Sequence, residues 1–259
     1  MLRSRIIPCL LVHNKGLVKT VRFSSPKYVG DPINAVKIFN EKEVDELMVL
    51  DIDATVENRE PDFRMIHNLA VECRMPFCYG GGVTTVEQAR KIIKLGAEKV
   101  ALSAAALNNA ALLKEIGAAV GMQSVVVVID VKRKKNILGA VSYEVYTRNG
   151  KVKSDKKLEN YLRELNDIGV GEIVINSIDR DGMMEGYDTD LAHWVRDRVD
   201  VPITILGGAG SYEDISNLIK RFKIIGAAAG SLFVFKGKYR AVLISYPNRL
   251  EKRQILRGG

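Results

Sequence analysis

Two matching strand-like segments end on different chemistry. Ser124-Val-Val-Val-Val-Ile-Asp130 closes an apolar run with a carboxylate, and Arg5-Ile-Ile-Pro-Cys-Leu-Leu11 closes the corresponding run with an alkyl side chain. A carboxylate at the end of an apolar strand is partly desolvated, which favours its protonated form and suits proton transfer, so Asp130 is the candidate general acid or base. A structural role, as the salt-bridge partner of Lys132, fits the spacing equally well. Leu11 can neither carry a proton nor accept a hydrogen bond, so chemistry that needs a carboxylate on both sides keeps only one of them.

Small residues suggest where anions bind. Gly80, Gly81 and Gly82 with Ser103 and Ala104 form one candidate cradle, and Gly207, Gly208 and Gly210 with Gly230 and Ser231 form another. Glycines let backbone N–H groups approach a phosphate, and a following helix adds the favourable end of its dipole. One such turn alone reads as an ordinary tight strand-to-helix connection. Two sets in matching places point to a ligand with phosphates at both ends. Asp181 and Gly182, in Asp179-Arg180-Asp181-Gly182, could position a substrate hydroxyl and join the second cradle; an Asx turn capping the next helix is the structural alternative. Asp51 and Lys19 could reach the same ligand, although Lys19 alone reads equally as a solvated lysine. At the opposite ends of the strands lie Arg5, Glu46, Lys99 and Glu172, two of each sign. Ordinary salt bridging at the floor of a barrel explains them, and a gate is the functional alternative. His13, His67 and His193 have no evident metal partner, and no HExxH, Ser-His-Asp or CxxC arrangement occurs. No metal or cofactor is expected.

The elements that position these residues alternate. Strands are expected at Ile6–Leu11, Leu47–Ile52, Phe77–Tyr79, Lys99–Leu102, Val125–Asp130, Glu172–Asn176, Ile203–Leu206 and Ile224–Ala228. Helices are expected at Pro32–Lys42, Arg64–Cys73, Val86–Leu95, Ala110–Val120, Lys157–Asp167, Asp190–Arg198 and Tyr212–Lys220. Eight strands with intervening helices close most economically as an α/β (β/α)8 TIM barrel, with a doubly wound open sheet as the alternative. Met75-Pro-Phe-Cys-Tyr-Gly-Gly-Gly82 parallels Val201-Pro-Ile-Thr-Ile-Leu-Gly-Gly208, and Leu50-Asp-Ile-Asp53 parallels Asn176-Ser-Ile-Asp179, in the same order. The chain therefore reads as two half-barrels making a single domain over residues 1–259. Two long connections, His13 to Asp31 and Lys132 to Asp155, should overhang the mouth as lids, the second with a hairpin around Asn149-Gly150. The polar tail at about 248–259 is expected to fray or pack lightly.

With 259 residues, 47% apolar and 27% charged, the composition is that of a soluble globular protein. No signal-peptide pattern or membrane-length apolar run appears, so a cytoplasmic location and no membrane partner are expected. The net charge of +8 is spread along the chain without interleaved aromatic residues, which argues against nucleic acid and for phosphorylated small molecules. Cys9, Cys73 and Cys78 read as buried free thiols.

Over nearly its whole length the chain resembles the cyclase subunit of imidazole glycerol phosphate synthase, a histidine-biosynthesis barrel. The resemblance rests on Arg5-Ile-Ile-Pro-Cys-Leu, Gly30-Asp-Pro, Asp45-Glu-Leu, Leu50-Asp-Ile, Gly80-Gly-Gly, Asn176-Ser-Ile-Asp-Arg-Asp-Gly182, Gly186-Tyr-Asp and Gly207-Gly-Ala-Gly210. It implies a glutaminase subunit docked on the N-terminal barrel face and ammonia passing a gate at Arg5, Glu46, Lys99 and Glu172. It further implies reaction with a bis-phosphorylated ribulosyl aminoimidazole carboxamide at the mouth, assisted by two aspartates. Those aspartates fall on Asp130 and on Leu11, where the carboxylate is absent. Ser103 and Ala104 also depart from the Asn and Thr usual in the family. Among its members the chain is most similar to the branch associated with surface-polysaccharide (O-antigen) genes, through Lys27-Tyr-Val-Gly-Asp-Pro-Ile-Asn-Ala, Gly230-Ser-Leu-Phe-Val-Phe and Arg240-Ala-Val-Leu-Ile-Ser-Tyr-Pro247. That branch implies ammonia supply to a sugar amidotransferase. A true histidine-pathway cyclase and a non-catalytic conduit or activator of the glutaminase are the alternatives.

Overall fold

The computed structural model describes residues 3–135 and 139–257. Its strands are β1 (Arg5–His13), β2 (Gly16–Val21), β3 (Ser24–Gly30), β4 (Leu47–Asp51), β5 (Phe77–Gly80), β6 (Lys99–Leu102) and β7 (Val125–Lys135). They continue with β8 (Val141–Thr147), β9 (Val152–Lys153), β10 (Glu172–Ser177), β11 (Ile203–Leu206), β12 (Gly226–Ala229), β13 (Phe235–Lys236) and β14 (Ala241–Val242). Eight of these pair in parallel around a closed ring, in the order β1, β4, β5, β6, β7, β10, β11, β12 and back to β1. This is the expected (β/α)8 barrel, with no open edge in the ring.

The helices are α1 (Pro32–Glu41), α2 (Phe63–Glu72), α3 (Val86–Lys94), α4 (Ala104–Asn108), α5 (Ala110–Val120), α6 (Leu158–Ile168), α7 (Thr189–Arg196), α8 (Tyr212–Phe222), α9 (Ser231–Val234) and α10 (Arg249–Arg257). Corresponding helices of the two halves start by the same devices. Asp62 caps α2 and Asp188 caps α7 through side-chain acceptance from the third helical N–H. Thr85 with Gln88 and Ser211 with Asp214 form capping boxes at α3 and α8, directly after the two glycine runs. Each cap stabilises its helix by about 1 kcal/mol and fixes where the preceding loop ends.

Side chains alternate in and out along each barrel strand. On β1, Ile6, Leu10 and Val12 pack under the helices, whereas Ile7, Cys9 and Leu11 face the barrel axis. The inner row continues with Met48 and Leu50 on β4, Cys78 on β5, Ala101 on β6, Val126 and Val128 on β7, Val174 on β10, Leu206 on β11 and Ala228 on β12. The same parity sends Arg5, Glu46, Lys99 and Glu172 inward at the floor and Leu11, Asp130 and Asn176 inward at the mouth. Six residues separate Arg5 from Leu11, which at ~3.3 Å per residue and the usual barrel tilt is about 16 Å along the axis.

Three expectations change here, at the eighth barrel strand, the tail and Cys73. The eighth barrel strand is Gly226–Ala229 rather than Ile224–Ala228, and Ile224 is exposed before it. The connection after β1 overhangs the mouth as an antiparallel extension: β1 pairs β2, and β2 pairs β3 with a bulge. In the connection after β7 the expected hairpin around Asn149-Gly150 is present, joining β8 to the short β9, and β8 also pairs with β7. The tail does not fray over residues 249–257; it forms α10 against α8, with Ile255 buried. Asn248 accepts from the N–H groups of Leu250 and Glu251, Arg249 makes two 2.7 Å contacts to Glu43, and Lys252 reaches Asp45 at 2.9 Å. Ile255 and Leu256 join the core cluster on one side of this helix, and polar residues fix its start. Cys9 and Cys78 are buried free thiols, whereas Cys73 is only half-buried.

Candidate functional site

At the floor, four charges close the barrel axis. Arg5 donates to Glu172 Oε1 at 2.8 Å and also to Glu46; Lys99 Nζ donates to Glu46 Oε1 at 2.7 Å and to Glu172 Oε2 at 2.8 Å. Thr204 adds a hydroxyl donor to Glu172. Glu46 and Glu172 are 3% and 2% exposed. Burial alone would raise the Glu172 carboxyl, but Arg5 and Lys99 outweigh it and hold it below the ordinary range. Burial similarly opposes the charge on Lys99, and Glu172 with Glu46 overcomes it, so its ammonium is held more firmly than usual. Both carboxylates are shared between both cations, so the ring acts as a unit.

At the mouth the barrel opens into a cavity of about 910 Å³. Asp130, Leu11, Lys19, Asp51, Gly81, Gly82, Ser103, Asp181, Gly182, Gly208, Gly230 and Ser231 all line it. In the ring order β1 and β7 lie half a circuit apart, so Leu11 and Asp130 stand on opposite walls. Leu11 joins Cys9, Leu50, Ala101, Val128 and Leu206 in an apolar floor continuous with the inner row below.

Asp130 accepts from Asn176 Nδ2 at 3.0 Å. Burial, with a smaller contribution from the nearby Asp181 charge, pushes its carboxyl up to about 7 against the opposing hydrogen bond from Asn176. Lys132 does not supply the salt bridge; its ammonium lies 5.8 Å from the centre of the Tyr146 ring. Asp130 is therefore a carboxyl that changes protonation near neutrality, the property a general acid or base needs.

Asp181 does not cap the next helix, since Asp188 does that. Its carboxylate accepts from Thr20 Oγ1 at 2.7 Å and from the Phe23 N–H at 3.1 Å, tying the β2–β3 hairpin over the mouth. Burial raises its carboxyl despite both bonds. Lys19 is buried rather than solvated: Nζ donates to the Cys9 carbonyl at 2.5 Å, and burial lowers its basicity against the influence of Cys9 and Asp181. Gly230 leaves the room that the Lys19 ammonium occupies. Asp51 accepts from the N–H groups of Asp53 and Ala54 at 2.9 and 3.1 Å, shaping the turn after β4.

Glycine is required where the cradles bend. Gly82 has φ +72° and a Cβ there would lie 2.5 Å from the Arg59 carbonyl oxygen; Gly208 has φ +107° and a Cβ would strike the Gly186 carbonyl. Ser103 caps α4 without using its hydroxyl, and Gly230 stands in the matching place before α9. Gly210, expected in the second cradle, instead donates its N–H to Asp214 at 2.9 Å in the α8 capping box.

Several mouth residues were not anticipated. Asn176 shares the inward parity of Glu172 and Val174, and counting by twos from Glu172 would have found it. Arg148, Asn149, Lys153 and Lys156 reach the cavity from the β8–β9 hairpin, and Arg59 from the segment after β4. Among the described residues no helix is long and apolar enough to cross a membrane.

A closed parallel barrel of two like halves, with a charged floor and a glycine-rimmed mouth, defines the class: a (β/α)8 barrel carrying its site at the C-terminal strand ends. The chain belongs to the histidine biosynthesis protein family, whose model matches residues 5–240. It is 53% identical over 256 residues to a Vibrio vulnificus (strain YJ016) protein provisionally named as an imidazole glycerol phosphate synthase subunit, covering 99% of this chain and 97% of that one. A provisionally named Pseudomonas aeruginosa subunit is 51% identical over 248 residues, covering 96% and 97%. The imidazole glycerol phosphate synthase subunit of Streptococcus mutans is 37% identical over 233 residues, covering 90% and 91%. The chain is thus a homologue of the cyclase subunit of that synthase.

Proposed function

We propose that this chain accepts ammonia from a glutaminase subunit seated on the floor of the barrel and carries it along the axis to the mouth, in support of sugar amination during surface-polysaccharide (O-antigen) synthesis. The observation that carries this reading is Leu11 set above a complete Arg5–Glu46–Lys99–Glu172 ring. The ring is the gate. The inner row above it, from Ile7 and Met48 to Leu50 and Leu11, is apolar. A neutral ammonia molecule passes such a lining without meeting a carboxylate until Asp130. The two glycine cradles, with Ser103 and Ser231 at their helix starts and Lys19 close to the second, hold a phosphorylated ligand that reports the occupied mouth. A sugar amidotransferase would then take the ammonia.

A true histidine-pathway cyclase working with Asp130 alone is the second reading, favoured by the shift of that carboxyl to about 7. The deciding experiment supplies the purified chain with the ribulosyl substrate and excess ammonium salt, with Leu11→Asp in parallel. Ammonium salt removes the need for a glutaminase, so only the chemistry of the barrel is tested. We expect no imidazole glycerol phosphate from the wild type. Turnover by the wild type would establish the cyclase reading instead, and a gene deletion that left surface sugars unchanged would sink the amination reading. Asp130→Asn separates a catalytic barrel, which it disables, from a bare conduit, which tolerates it.

A further inference from the structure

The two ends of the Asn176 amide are used unequally. Nδ2 donates to Asp130 Oδ1 at 3.0 Å, across the β7–β10 register that sets the two residues side by side. Oδ1 is buried and accepts no hydrogen bond among the described residues. It is turned toward Gly207, 3.5 Å from where a Cβ on that glycine would stand. Reversing the amide about its last torsion would therefore break one hydrogen bond only, the one to Asp130. A carboxylate can only accept, whereas a protonated carboxyl can also donate, and a side-chain amide offers both a donor and an acceptor.

We propose that Asn176 is a positioning residue that reverses its amide as Asp130 gains or loses a proton. With Asp130 ionised, Asn176 Nδ2–H donates to the carboxylate, as in the structure. A proton taken up from the ligand or from water bonds to Asp130 Oδ1; the new O–H then donates to Asn176 Oδ1, now turned toward it. No covalent bond changes on Asn176, and one hydrogen bond is kept with its direction inverted. Asp130 is thereby held in one place through both halves of a proton transfer, which geometry demands of a general acid–base group. The titratable groups facing it are Asp181 from the β10–α7 segment and Cys9 from β1, with Tyr146 opposite on β8. None of them supplies an amide that could follow the proton in this way. The inference rests on reading Asp130 as the proton-carrying group of the mouth.

Nuclear magnetic resonance of the full chain tests it, with labelled Asp carboxyl carbons and Asn side-chain amides followed from pH 5 to 9. Asp130→Asn assigns the carboxyl signal, and Asn176→Ala assigns the amide signal. We expect the Asn176 amide pair and the Asp130 carboxyl to move with one shared midpoint, and the amide to stop responding in Asp130→Asn. In Asn176→Ala the Asp130 midpoint should shift by less than about one pH unit, because the amide supports both protonation states. An amide signal that stays constant while Asp130 titrates would overturn the inference and leave the reading of Asp130 intact. An Asp130 that does not titrate in this range would remove both.

Discussion

Replacing Asp130 with asparagine should make the protein more stable at alkaline pH than the wild type. The carboxyl has an ordinary value of 3.8 and is pushed to about 7 in the folded chain, mainly by burial. Below pH 3.8 it is protonated whether the chain is folded or not, and no penalty arises. Between 3.8 and about 7 the folded state retains a proton that the unfolded chain has released, so stability falls as pH rises. Above about 7 the folded carboxyl also ionises and the loss is complete. At ~1.4 kcal/mol per pH unit, the part of that range above pH 4.5 amounts to about 3 kcal/mol. Asparagine has nearly the same shape and no titration, so it escapes the loss. Urea denaturation of both proteins at pH 4.5, 6 and 8 should show the gap in favour of Asp130→Asn widening by that amount. Parallel stability curves would mean that the partly buried carboxyl is not penalised. The argument for a carboxyl poised near neutrality would then fail, because it depends on burial outweighing the Asn176 hydrogen bond.

Lys99→Met should leave Glu46 and Glu172 buried with Arg5 as their only shared cation. Breaking such a network costs about 3 kcal/mol at the partly exposed end of the usual range, a fall in Tm of about 6 °C by calorimetry. The folded Glu172 carboxyl lies below its ordinary range, so its stabilising share is present at neutral pH and lost in acid; the Lys99→Met defect should narrow as pH falls. Gly208→Ala should lose about 1–3 kcal/mol from its φ of +107°, seen by chemical denaturation, and weaken phosphate binding measured by titration calorimetry.

The barrel was legible because its signals are local and repeated. Each strand carries a short β-branched run, each helix an apolar stripe, and the glycine runs recur in matching places in both halves. The long connections were harder to read. Val18 and Tyr28 pair across β2 and β3, but the edge strand β3 is exposed over most of its length, so alternation there has no core to answer to. The tail was misread because ion pairs to Glu43 and Asp45 hold it, and such partners, some two hundred residues distant, leave no periodic trace. At the site, residue type alone picked out Asp130 and the four floor charges. It did not pick out Asn176, whose importance lies in the register that sets it beside Asp130. Lys19 was ambiguous for a related reason. Only the fold reveals that its ammonium is buried against the Cys9 carbonyl instead of lying in water.

Strand pleating makes the residue type at one end of the barrel independent of the contacts at the other. Arg5, Ile7, Cys9 and Leu11 form one inward row on β1, and Glu46, just before β4, continues into Met48 and Leu50 on β4 as the next. An aspartate at position 11 would sit in the same row with the same backbone, so exchanging it for leucine leaves the register with β2 and β4 unaltered. The floor ring is four residues spread over four strands and makes none of its hydrogen bonds to residue 11. A leucine in place of a carboxylate at position 11 therefore costs the ring nothing. What Leu11 does set is the wall opposite Asp130, which ends the inner row on an apolar side chain rather than on a second proton acceptor. An uncharged molecule arriving from below then meets Leu11 on one wall and the Asp130 carboxyl, bonded to Asn176, on the other.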